Sequence, residues 1–200
     1  MRPADHPAEI APEDVARAEI YGFLATLLAA PPDGPLLERM AALPGDEETR
    51  LGRAIAEIAG DAARSDPAEA EREFTRLFIG LGRGELLPFG SYYMTGNLHD
   101  KPLARLRSDM ATLGIARAEE VAEPEDHIAS VCEMMAGQIT GRYGVAEPVA
   151  KQRAFFVAHI APWGQRFFAD LEAAENARLY AGIGTLGLAF MEIEAEAFDL

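Results

Sequence analysis

Cysteine is nearly absent from this chain: Cys132 is the only one in 200 residues. A lone thiol excludes an internal disulfide and any cysteine-based zinc or iron–sulfur site. It lies within a run that reads as helix, so it is expected to be buried and structural. Basic residues are also scarce. With 18 Lys and Arg against 33 Asp and Glu, the formal charge is -15. The mean field repels phosphate backbones and anionic lipid surfaces, so no nucleic-acid partner is expected. The same field draws in a basic segment of another protein. Long hydrophobic runs are missing as well. The longest, Leu179 to Met191, is too short to span a bilayer and is diluted by Gly182, Gly184 and Gly187. It is expected to be a buried, closely packed helix, with no stable membrane insertion. The first fourteen residues carry three prolines and four acids, with neither the basic start nor the apolar centre of a secretory signal. A cytoplasmic protein is expected.

Catalytic patterns are absent too. No histidine has a glutamate three residues before it, and no His-Glu-x-x-His run occurs, which removes two helical metal-binding patterns. His99, His127 and His159 fall on three different expected helices and can converge only through tertiary folding. The glycines from Gly80 to Gly84 lack the lysine and flanking strand of a phosphate loop, so they read as helix termination. Ser91 has no glycine-framed elbow around it. No metal and no cofactor is expected.

What is present is helical. The chain is 49% hydrophobic, rich in Ala, Leu and Glu, and poor in the β-branched runs that mark strands. Apolar spacing and breakers predict helices at about Pro12–Ala30, Pro35–Ala42, Asp46–Arg64, Ser65–Ile79, His99–Leu113, Glu125–Tyr143, Glu147–Ile160, Pro162–Ala174 and Asn176–Phe198. The expected fold is therefore all-α: one helical bundle of roughly nine helices over 15–200, behind a flexible segment 1–14. Phe155, Phe156, Trp163, Phe167 and Phe168 recur at helical spacing and belong to the core. From Gly80 to about Leu98 a long loop is expected, carrying Pro88, Phe89, Tyr92 and Tyr93. That aromatic load suits a partner-binding surface as well as it suits packing.

The most informative stretch is Glu123-Pro124-Glu125-Asp126-His127, at a helix start. Proline and the two following acids suit a first turn, where the helix dipole favours negative charge. His127 does not fit that logic. An imidazole there loses basicity and is expected to gain nothing for capping.

Together with Glu73-Phe74-Thr75-Arg76-Leu77-Phe78-Ile79-Gly80, Pro88-Phe89-Gly90-Ser91-Tyr92-Tyr93 and His159-Ile160-Ala161-Pro162-Trp163, this stretch resembles the TorD/DmsD/NarJ family of redox-enzyme maturation chaperones, over about Ala16 to Phe198. The resemblance implies a TorD-like all-helical chaperone, not an enzyme, that binds the twin-arginine leader and apo-form of a molybdopterin oxidoreductase. It implies a client-binding region made of Pro88, Phe89, Ser91, Tyr92, Asp126 and His127, and a protein that is a monomer or a helix-swapped homodimer. Gly90 stands where members often carry a glutamate. The bottom-up chemistry is compatible: a leader has a basic head and an apolar stretch, so Asp126 can accept from a guanidinium while Phe89 and Tyr92 receive the apolar part. Two other readings remain open: an assembly factor that grips the mature client without its leader, and a guanine-nucleotide-binding helical protein.

Overall fold

Breakers and capping side chains set most of the helix boundaries. In a computed structural model of the chain, residues 10–117 and 123–199 are described. Pro12 opens α1 (Pro12–Ala29), with Glu13 and Asp14 in the first turn, where they face the positive end of the dipole. Asp33 caps α2 (Gly34–Ala41) by accepting the Leu36 N–H, and Thr49 caps α3 (Arg50–Ala62) by accepting the Gly52 N–H. Asp66 accepts from Ala68 and Glu69 at the start of α4 (Pro67–Phe74). This helix runs directly into a π-helical turn, Thr75–Ile79, which Gly80 ends at φ 61°. The later helices are α5 (Gly90–Thr95), α6 (Lys101–Thr112), α7 (Ile128–Thr140), α8 (Val149–His159), α9 (Gly164–Glu172) and α10 (Leu179–Ala197).

Among the described residues there are ten α-helices and one π-turn, and no strand beyond an isolated bridge. The helix missing from the sequence reading is α5, six residues inside what read as a loop. It is too short to show a 3.6-residue pattern and is closed by Gly96 in the left-handed conformation. The other correction concerns α7, which begins at Ile128, so that Pro124, Glu125 and Asp126 precede the helix. Of segment 1–14, residues 1–9 lie outside the described ones, and Pro12 to Asp14 already belong to α1.

The core forms where α1 packs along α7 and where α10 packs against α9 and α3. Ile128, Val131, Cys132, Met135 and Ile139 of α7 are all buried, as are Phe155, Phe156, Trp163, Phe167 and Phe168. Burial pushes the Cys132 thiol up to about 12, so it stays protonated and inert. The Leu179–Met191 run is a buried helix as expected, and its glycines permit a close approach. A Cβ at Gly187 would overlap the Phe168 ring, and one at Gly184 would overlap the backbone of Glu172. No described helix is long and apolar enough to cross a membrane.

Two buried carboxylates tie distant segments together. Glu194, fully buried, accepts from Arg17 at 2.7 and 2.9 Å and from the Tyr21 hydroxyl at 2.9 Å. Glu73 accepts the backbone N–H groups of Arg178, Leu179 and Tyr180 at 2.7, 3.3 and 2.8 Å. It thereby satisfies donors that the start of α10 would otherwise leave unpaired.

Candidate client-binding site

The Pro88–Ser91 segment and the Asp126–Ile128 segment are 35 or more residues apart in sequence and lie side by side. Phe89 and His127 form an antiparallel bridge. Around it the Gly90 N–H donates to the Asp126 carbonyl and the Ile128 N–H donates to the Pro88 carbonyl, both at 2.9 Å. The Asp126 carboxylate, 4% exposed, accepts the Ser91 N–H at 2.7 Å through Oδ2, while its Oδ1 is buried with no partner among the described residues. Ser91 is fully buried, and its Oγ accepts the His99 N–H at 3.2 Å. Gly90 is buried against Trp163: a Cβ there would sit 3.0 Å from the indole Nε1. Any larger residue at this position would require the indole to shift.

His127 corrects the sequence expectation. It is the N-cap of α7, with Nδ1 accepting the Ala129 N–H at 3.1 Å. A neutral imidazole keeps one nitrogen as an acceptor, and this bond places the proton on Nε2. Burial lowers the ring's pKa to about 4, against a weaker opposing pull from the Asp126 charge. The ring is therefore uncharged at neutral pH and packs edge-on against Phe89, centroids 5.2 Å apart. Next to it, Glu125 is bonded by Arg107 at 2.8 and 3.0 Å. Burial raises its pKa, but the Arg107 bonds outweigh that and hold it below the usual carboxylate range.

Pro88, Phe89 and His127 form one wall of an open groove of about 680 Å³. Phe74, Phe78 and Ile79 line it from α4 and the π-turn, Gly22, Ala25 and Ala29 from α1, and Ala129, Ser130 and Ala136 from α7. Glu123, Glu133 and Arg142 also line it, and Glu133 is paired with Arg142 at 2.7 Å. Tyr92 faces elsewhere. With Tyr93, Arg83, Arg166 and Asp170 it lines a separate cleft, where its hydroxyl accepts from Arg83 at 2.9 Å. Of the six residues singled out, three line the groove, Ser91 and Asp126 hold its wall from behind, and Tyr92 opens onto another face. Sequence reasoning named Glu123 but did not assign it to the binding region, and it missed Glu133 and the α1 face. The small residues at positions 22, 25 and 29, spaced by three and four, carried a signal for that face.

Among the described residues, His99, His127 and His159 do not gather into one site. His159 Nε2 lies 2.7 Å from Asp109 Oδ2, and His99 precedes α6 at φ 61°. Among the described residues no group of three or more His, Cys, Asp or Glu side chains is arranged to hold a metal ion.

The family described as nitrate reductase delta subunit matches residues 45–169, more than half of the chain. The chaperone protein TorD of Vibrio cholerae serotype O1 (strain O395) is 25% identical over 206 residues, covering 96% of this chain and 86% of that protein. TorD of Vibrio atlanticus is 25% identical over 201 residues, covering 90% and 93%. With TorD of the El Tor strain of V. cholerae, 26% identical over 138 residues, the chain spans 63% of that relative's length. A solved structure described as a redox enzyme maturation protein from Archaeoglobus fulgidus superimposes with a TM-score of 0.57 at 22% identity, over 88% of this chain and 93% of that one, a likeness of fold. This chain belongs to the nitrate reductase delta subunit family, the TorD/NarJ-type redox-enzyme maturation chaperones.

Proposed function

We propose that this protein is a cytoplasmic maturation chaperone whose groove receives the twin-arginine leader of a molybdenum-cofactor oxidoreductase, holding the apo-form before export. The observation that carries this reading is the groove itself: apolar along its aromatic and alanine walls, open to solvent, and bordered by the carboxylates of Glu123 and Glu133. An apolar leader stretch docks as an amphipathic helix on Phe74, Phe78, Ile79 and Phe89, while its basic head meets acids at the rim. The net charge of -15 steers a basic peptide inward. His127 is neutral at cellular pH and adds no repelling charge. Asp126 acts as a positioning residue, holding Ser91 and through it the Phe89 wall. A micromolar complex needs about -8 kcal/mol, within reach of a few aromatic anchors.

The test is calorimetric titration of the full chain with a molybdoenzyme leader peptide, beside one with a scrambled apolar stretch. Binding of the true leader, weakened in Phe89→Ala and in Glu133→Gln, is the expected result. No binding to any such leader, with retention of a client stripped of it, would make the protein an assembly factor for the mature client.

A further inference from the structure

The segment from α4 through the π-turn is two-faced. Phe74, Phe78 and Ile79 line the apolar groove, whereas Arg72 and Arg76 line a second, polar cleft of about 250 Å³ together with Arg64 and Arg178. Arg64 is paired with Asp61 at 2.5 Å. Arg72, Arg76 and Arg178 are exposed and have no ion pair among the described residues, although acids outnumber bases 33 to 18 in the chain. One unpaired surface arginine carries no meaning, because water solvates it well. Three around one cleft of a strongly acidic protein form a local exception to its charge. The acids at hand do not cancel them: Asp61 is committed to Arg64, and buried Glu73 is committed to the three N–H groups that open α10, which leaves Glu69.

We propose that this cleft docks an acidic segment of a protein partner, with Arg72, Arg76 and Arg178 pairing successive Asp or Glu side chains. The geometry favours carboxylates on a chain over a compact phosphate. The backbone donors at the start of α10 that would wrap a small anion are already occupied by Glu73. The guanidinium groups are instead distributed over two elements, Arg72 and Arg76 one helical turn apart and Arg178 beside α10, and each can take one carboxylate bidentately. Because the protein's overall field repels acids, retention of an acidic peptide has to come from this local patch and has to fall with salt. A single helical segment then separates an apolar, acid-rimmed groove from a basic cleft, two unlike contacts for two unlike parts of a partner.

The experiment is fluorescence anisotropy of the full chain with a labelled peptide alternating Glu and Ser, against the Gln-for-Glu counterpart, at low and at physiological salt. The triple variant Arg72→Gln, Arg76→Gln, Arg178→Gln is compared with Arg39→Gln, Arg105→Gln, Arg166→Gln, which removes equal charge away from the cleft. The expected result is salt-sensitive binding of the acidic peptide alone, weakened about tenfold in the cleft variant and preserved in the control, with both variants melting like the parent. Equal weakening in both variants, or equal binding of the Gln peptide, overturns the proposal. Displacement by inorganic pyrophosphate held more tightly than the peptide overturns it too and makes the cleft a small-anion site.

Discussion

The Asp126 carboxylate accepts the Ser91 N–H across 35 residues of sequence and so ties the entrance of α7 to the segment that carries Phe89. Removing it strands a buried donor. Asp126→Ala is expected to cost about 2 kcal/mol of stability and to weaken leader binding through a loosened wall. Asp126→Asn keeps a carbonyl oxygen for Ser91, so it is expected to cost less and to leave leader affinity close to the parent's. Denaturant unfolding beside calorimetric titration checks both. If Asp126→Asn lost binding while remaining stable, the carboxylate would be reading the client guanidinium directly.

Glu194 sits at the junction of α1 and α10, where it holds Arg17 through both carboxylate oxygens and also accepts the Tyr21 hydroxyl. Burial, then the Glu194 charge, pushes the Tyr21 hydroxyl up, which keeps it a donor. Glu194→Gln retains the shape but removes the buried counter-charge from Arg17, leaving its guanidinium with Asp14 alone. Breaking a buried pair from one side costs roughly 3–5 kcal/mol. The expected outcome is a large drop in the midpoint of unfolding, whereas Arg50→Gln, at an exposed pair with Glu192, costs less than about 1 kcal/mol of stability.

Much of this architecture was legible in sequence because it is local. Pro12, Asp33, Asp66 and Gly80 start or stop helices through their own backbone chemistry, and the Leu179–Met191 run reads as buried because its glycines and apolar residues leave no polar face. The adjacency of Phe89 and His127 depends on long-range pairing that no spacing encodes. The capping role of His127 was missed because it rests on a neutral ring, and the ring is neutral because tertiary burial makes it so. Glu133 escaped notice, and Glu123 was left out of the binding region although its stretch stood out, for a related reason: carboxylates are abundant here, and only the groove singles these two out.

Close packing between α9 and α10 gives a sharper contrast among glycines. Gly187→Ala is expected to cost about 1–3 kcal/mol as Phe168 is displaced, and Gly184→Ala more, since the Glu172 backbone cannot rotate away. A Cβ at Gly22 in α1 would meet nothing within 4 Å. Gly22→Ala is expected to stabilise the helix by about 0.8 kcal/mol while placing a methyl group on the groove wall. Thermal unfolding of the three variants separates the directions.

His127 couples the α7 cap to pH. Burial lowers its folded-state pKa to about 4, below the ordinary imidazole value of 6.5. Between those values the unfolded chain binds the proton and the folded one resists it. The stability that the neutral ring supplies is therefore complete above pH 6.5 and is lost as pH falls towards 4, by up to about 3 kcal/mol. The protonated ring would also have no acceptor to offer the Ala129 N–H. Carboxylates titrate in the same range, so the informative variant is His127→Asn, whose side-chain oxygen can still cap the helix but cannot titrate. Urea unfolding at several pH values is expected to give the variant a flatter slope than the parent between pH 4 and 6.5, with comparable stability at pH 7.5. Parallel slopes would mean that the ring is already charged in the folded protein and that the cap is held some other way.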